Sequence, residues 1–119
     1  MPERPADTGP LLAEITNAVV RLHRTHHGKG PNRSKSYLVD DMVVCVMQDI
    51  FTTIETTLIA GGEGDKVRAT RLAVHRATAS EFTAAVEKIT GRRVLSFTSQ
   101  VMLDAGLEVV VFVLEPAAG

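Results

Sequence analysis

Residues 42–47 read Met-Val-Val-Cys-Val-Met, an apolar run that leaves no polar side chain on either face of an extended chain. Alternate side chains of a strand point to opposite sides, so a strand with one solvated face alternates apolar and polar residues. This run therefore predicts a strand that is central in its sheet, or one whose second face is covered by a partner subunit. Residues 109–113, Val-Val-Val-Phe-Val, predict a second strand of the same kind.

Each apolar run belongs to a predicted β-hairpin. β-Branched and aromatic residues extend from 35 to 48 and are interrupted at Asp40 and Asp41, which we interpret as turn residues and not as a functional carboxylate pair. Residues 92–98 and 107–114 predict a second hairpin, joined through residues 104–106, Asp-Ala-Gly.

Helical patterns precede and separate the two hairpins. Apolar residues recur at helical spacing from Leu11, and Pro10 suits the first turn of this helix, with Thr8 predicted as its cap. Thr52 and Glu55 have capping-box spacing and predict a short helix, and residues 63–90 predict a long one. The order α-β-β-α-α-β-β predicts an α+β fold, a single domain with an antiparallel four-stranded sheet and helices packed on one face.

Length and composition narrow the class of protein. The chain has 119 residues, enough for one domain, which we place at residues 10–115 between flexible tails at 1–9 and 116–119.

A net charge of −1 and a single Tyr without Trp argue against nucleic-acid binding. The lone Cys45 lies in an apolar strand, which favours a reducing, cytoplasmic setting. No apolar run approaches the roughly 20 residues of a spanning helix, and residues 1–10 do not resemble a signal peptide.

Residues 28–33, Gly-Lys-Gly-Pro-Asn-Arg, combine glycine with positive charge between the first helix and the first strand. A phosphate-binding loop follows a strand and opens a helix, whereas this loop does the reverse. We therefore interpret Gly28, Gly30 and Pro31 as a structural loop, with Gly28 in the left-handed position past the helix end. The alternative is a small anion-binding protein or small enzyme. Its candidate anion-binding residues are Lys29, Gly30, Arg33, Arg71 and His75.

The remaining polar residues do not form a recognisable catalytic set. His23 is spaced to share a helix face with His26 and with His27, which could place two imidazoles on a metal, but no acidic or cysteine third ligand stands nearby in sequence, so we predict no metal and no cofactor. Arg71 lies on the partly apolar face of the long helix, where it could bind an anion or pair with Glu55 or Glu81. Since no nucleophile accompanies it, a structural or subunit-contact role is favoured and no enzymatic activity is predicted.

Several of these segments together carry a resemblance that extends over residues 11–114. They are residues 28–31 after an amphipathic helix, the hairpin at 41–46, the Thr52, Glu55 and Leu58 segment, Arg71, residues 89–91 and residues 111–114. In order and spacing the chain resembles the MpsC-like family of small bacterial proteins, which is associated with a cation-translocating, membrane-potential-generating system.

The resemblance implies a soluble accessory or interaction domain and supplies no catalytic residues. Its expected partners are a second copy of the chain, as a homodimer, and a membrane transport protein. The expected location is cytoplasmic, peripheral at the membrane through that partner, with no direct membrane insertion.

Overall fold

The computed structural model describes residues 8–117 and has the predicted order of elements. Residues 1–7 and 118–119, which include most of the predicted N-terminal tail and half of the predicted C-terminal tail, lie outside the described residues. The elements are α1 (Gly9–His27), β1 (Arg33–Val39), β2 (Met42–Gln48), α2 (Thr53–Ala60), α3 (Gly64–Thr90), β3 (Val94–Met102) and β4 (Leu107–Leu114).

Local sequence signals set most of the helix ends. Gly28 follows α1 with φ 81° and Gly91 follows α3 with φ 69°, the left-handed geometry that glycine adopts without a Cβ penalty. The Thr52 hydroxyl accepts a hydrogen bond from the Glu55 backbone N–H, and the Glu55 carboxylate accepts one from the Thr52 N–H, which confirms the capping box. Thr8 occupies the N-cap position of α1 as predicted, but it makes no side-chain capping bond, and its backbone carbonyl accepts a hydrogen bond from the Leu12 N–H at 2.8 Å.

The four strands form one antiparallel sheet in the order β1-β2-β4-β3. β2 and β4 are the central pair, as their doubly apolar sequences predict. The turn between β1 and β2 places Asp40 at φ 53°, in agreement with its interpretation as a turn residue. β3 begins at Val94 and continues to Met102, later at both ends than the predicted strand at 92–98, because its ladder with β4 persists through Met102 and Leu107.

The core lies on one face of the sheet. Val43, Cys45 and Met47 of β2 point toward the helices, and α1 and α3 cover them with Ile15 and Phe82 among others. This confirms the predicted arrangement of helices on one face and the buried position of Cys45. Among residues 8–117, no helix combines the length and apolarity needed to cross a membrane.

Candidate functional site

Arg71 stands at the centre of the main polar cluster inside the protein. It is only 3 % exposed, on the face of α3 that packs against the rest of the domain. Its Nε and Nη2 donate to the two carboxylate oxygens of Glu55 in α2, each at 2.7 Å, and Nη2 also donates to the Ile50 carbonyl at 2.9 Å. The guanidinium carbon lies 5.2 Å from the centre of the Phe51 ring. This bidentate geometry fixes α2 and the loop before it against α3.

The other side of Arg71 faces a second carboxylate. Its Nη1 lies 3.5 Å from Oε1 of Glu108, which is 5 % exposed near the start of β4. The same Oε1 is 3.1 Å from Nε2 of His23 in α1, a residue that is 2 % exposed. An ionised carboxylate only accepts hydrogen bonds, so Nε2 of His23 carries a proton. We define the buried cluster as His23, Glu55, Arg71 and Glu108; it links α1, α2, α3 and β4.

His27 adjoins the buried cluster one helical turn after His23. The two imidazole rings lie 4.5 Å apart between centroids. Burial, followed by repulsion from His23 and Arg71, lowers the pKa of His27 from 6.5 to about 4. His27 is therefore uncharged at neutral pH. Nδ1 of His23 is buried and has no hydrogen-bond partner among residues 8–117.

Both carboxylates of the buried cluster are held ionised. Burial would raise the pKa of Glu108, but the hydrogen bond from His23 and the attraction of His23 and Arg71 outweigh burial, and the pKa is lowered. Burial opposes ionisation of Glu55 as well, yet hydrogen bonds from Arg71 and Thr52 lower its pKa. Arg71 thus has two anionic partners within the protein itself.

This arrangement limits the chemistry that the buried cluster can perform. A His–Glu pair acts as a general base only where the imidazole can reach a substrate proton. Here the ring of His23 is buried and its Nε2 is committed to Glu108, while Arg71 has its guanidinium nitrogens committed to Glu55, Glu108 and Ile50. The buried cluster therefore has the geometry of a structural contact that holds α1, α2, α3 and β4 together.

The candidate anion-binding residues from the loop are partly engaged by the protein itself. The Lys29 ammonium donates to the carbonyl oxygens of Gly30, at 3.2 Å, and of Asp49. A Cβ on Gly30 would come within 3.2 Å of the Arg24 guanidinium, so this glycine permits a close approach. Arg33 begins β1 and lines an open cleft with Asn32 and Gln48.

The two candidates from α3 make contacts different from those of the loop. Arg71 belongs to the buried cluster, whereas the ring of His75, one turn later, packs 4.4 Å from the ring of Phe97 between centroids. Of the two partners considered for Arg71, Glu55 is the one it binds, and Glu81 instead lies 3.1 Å from Nε2 of His26. Anion binding by the five candidates stays a prediction.

Glu108 and the contact of His23 with it were missed by the sequence analysis. Glu108 is the one charged residue of β4, and it shares its inward side with Val110 and Phe112. His23 continues the buried line of Ile15 and Val19 at four-residue spacing. A charged or polar residue in line with core positions indicates a buried partner, but the two residues are 85 positions apart and neither pattern identifies the other. In residues 8–117, no three His, Cys, Asp or Glu side chains are grouped to hold a metal ion.

Comparison with known proteins identifies the family. The family model described as "Na+-translocating membrane potential-generating system (MpsC)" matches residues 7–116, nearly the whole chain. No curated protein and no solved structure gives a significant match. On the extent of the family match, the chain belongs to the MpsC family.

Proposed function

We propose that this domain is a non-enzymatic, soluble accessory subunit of a Na+-translocating, membrane-potential-generating system. It acts in the cytoplasm as a homodimer and reaches the membrane by binding a transport protein. The family match over residues 7–116 is the observation that carries this proposal.

The internal use of charged side chains supports the absence of enzymatic activity. Catalytic acids, bases and anion-binding arginines act on a substrate in a cleft. Apart from the Cys45 thiol, the most strongly buried ionisable side chains among residues 8–117 are His23, Arg71 and Glu108, and His23 and Arg71 both contact Glu108. Their contacts join four elements of the fold, as expected for a rigid interaction domain.

Affinity purification from the native host's membranes tests the transport partner. The tagged protein is incubated with solubilised membranes and recovered through its tag. An unrelated domain of similar size with the same tag is the control. We expect a polytopic transport protein to co-purify with the tagged domain and not with the control. Recovery of no membrane protein above the control level would contradict the accessory role.

Ligand screening tests the alternative function, an anion-binding protein or small enzyme. Thermal unfolding is measured with phosphate, nucleotides and small carboxylates, using wild type and a Lys29→Ala, Arg33→Ala double variant. Because Lys29 is engaged with backbone carbonyls and Arg71 with two carboxylates, we expect no stabilisation of either protein. A ligand that stabilises wild type and not the double variant would favour the alternative.

A further inference from the structure

The sheet has a second face that no element of residues 8–117 covers. Side chains directly opposite each other in the ladders share a face, and the inward positions of β2 and β4 are those that pack on the helices. The alternate positions form what we call the open face. Its two central columns are entirely apolar apart from Gln48: Met42, Val44, Val46, Leu107, Val109, Val111 and Val113.

Large apolar side chains are accessible on the open face. Tyr37, Val39 and Met42 are 36 to 49 % exposed and lie together at one end of β1 and β2. The usual pattern for an antiparallel sheet with one solvated side is polar residues on that side. A face of this composition needs a covering partner.

The charges of the open face are confined to one corner. Strand register arranges the face in four rows across β1, β2, β4 and β3. The rows are Arg33, Gln48, Leu107 and Met102; Lys35, Val46, Val109 and Gln100; Tyr37, Val44, Val111 and Thr98; and Val39, Met42, Val113 and Ser96. Both charged residues, Arg33 and Lys35, are on β1, the edge strand.

This distribution suits a second copy of the same face. A two-fold axis parallel to the strands places β1 over the partner's β3, so Lys35 meets the partner's Gln100. A two-fold axis perpendicular to the strands, in the plane of the interface, places β1 over the partner's β1 with the opposite chain direction. Lys35 then meets the partner's Tyr37. Lys35 already lies 5.2 Å from the ring centre of Tyr37 within one chain, a cation–π contact. Neither axis brings cation against cation, and both bring the apolar columns together.

The area is sufficient for a dimer. Four strands and four rows cover roughly 500 Å² at the standard spacings of a sheet. Two copies therefore bury roughly 1,000 Å², the lower limit for a specific interface. We infer that two copies of the domain pack open face against open face as a β-sandwich, with Val44, Val46, Val109 and Val111 at its centre. This inference rests on the homodimer of the proposed function and assigns its surface.

Charge substitutions on the open face test this interface. Sedimentation equilibrium is measured from low micromolar to millimolar protein for wild type, Val111→Lys and Val111→Glu. The control is Leu72→Lys, which places the same charge on an exposed apolar residue of α3. We expect Val111→Lys to raise the dimer dissociation constant by roughly 100-fold or more, because like charges would be desolvated at the centre of the interface. Leu72→Lys should leave it unchanged.

Mixing the two Val111 variants tests whether the face binds itself. The lysine introduced in one variant and the glutamate introduced in the other would approach each other across either two-fold axis. The mixture should therefore form heterodimers where each variant alone is monomeric. A dimeric Val111→Lys protein would overturn the assigned surface and leave the homodimer standing. A wild type that stays monomeric to millimolar concentration would overturn both.

A second variant covers the case in which Val111→Lys does not fold, as judged by circular dichroism. Met42→Lys places the same charge in a central column of the open face, at a residue of β2 that is already 36 % exposed, where either axis sets it against the partner's Val113 or Gln48. It decides by the same criteria: weakened dimerisation supports the assigned surface, and an unchanged dimer overturns it.

Discussion

Two histidine–glutamate pairs of α1 have the same geometry and opposite surroundings. His23 and His26 each place Nε2 3.1 Å from a glutamate oxygen, of Glu108 and of Glu81 respectively. The side chains of the first pair are 3 % and 7 % exposed, and those of the second are 24 % and 50 % exposed. Distance alone therefore does not distinguish a contact that holds the fold together from one on its surface. Burial and the additional contact to Arg71 distinguish them.

The largest expected effect is that of Glu108→Ala. It leaves His23 without its partner and Arg71 with one carboxylate fewer in a buried site, which should cost about 3 to 5 kcal/mol of unfolding free energy. The matched control, Glu81→Ala, removes a carboxylate at the same distance from a histidine and should cost less than about 1 kcal/mol. Urea unfolding of both variants measures the difference. Equal losses of unfolding free energy in the two variants would contradict the distinction between the buried and the exposed pair.

Arg71→Lys should have the next largest effect. Lysine keeps the positive charge but cannot reproduce the fork that binds both oxygens of Glu55 together with the Ile50 carbonyl. We expect a loss of about 1.5 to 3 kcal/mol, the contribution of one charge-assisted hydrogen bond, because the lysine ammonium can keep one contact with Glu55. Arg68→Lys, at an exposed position on the same helix, is the control and should leave the unfolding free energy unchanged. Wild-type stability in Arg71→Lys would show that charge alone suffices.

Acidification should lower the unfolding free energy of the domain through His27, which lies beside the buried pair. Its folded-state pKa, about 4, lies below its value of 6.5 in the unfolded chain, so the unfolded state binds more protons between these pH values. The contribution of His27 to the unfolding free energy is fully present above pH 6.5 and is lost as the pH falls toward 4. Between pH 7 and pH 5 we expect a loss of about 1 to 2 kcal/mol, after allowance for solvent screening.

His27→Gln is the control for this pH dependence. Glutamine does not titrate, so the slope of unfolding free energy against pH between 5 and 7 should flatten. The lowered pKa values of Glu55 and Glu108 make their contributions disappear at more acidic pH, below their ordinary range near 4.5. An unchanged slope in His27→Gln would assign the titration to another group.

The smallest effect belongs to the exposed pair and its response to salt. A double-mutant cycle of His26→Ala and Glu81→Ala at pH 6 should give a coupling of about 0.2 to 1 kcal/mol, which 1 M salt removes by screening. The corresponding cycle for His23 and Glu108 should hardly change with salt, because both side chains are buried. A buried coupling that also disappears in salt would show that water reaches the cluster.

Local signals in the sequence were sufficient for most element ends. Gly28 and Gly91 adopt left-handed geometry, Asp40 forms the turn, and Thr52 and Glu55 form the capping box. Each of these depends on contacts within a few residues, where spacing and residue type are decisive. Thr8 is the exception, since a suitable side chain at the cap position makes no capping hydrogen bond through its side chain.

The candidate site was less predictable than the fold. The sequence indicated Glu55 as a possible partner of Arg71, 16 residues away. Neither Arg71 nor the glycine-rich basic loop at residues 28–33 indicated Glu108. Glu108 reaches His23 only because β4 is central and lies under α1 and α3. A single charged residue in a strand does not specify which of many distant side chains will neutralise it.

The sequence by itself determined the α+β class, the order of its seven elements, the two doubly apolar strands, and the resemblance that the family match bears out. Periodicity and turn chemistry are local, so they can be read along the chain. Only the tertiary structure decided that Arg71, Glu55, Glu108 and His23 form one buried cluster, and that the apolar residues of two hairpins form one continuous open face. Both depend on strand order and register, which bring together residues far apart in sequence.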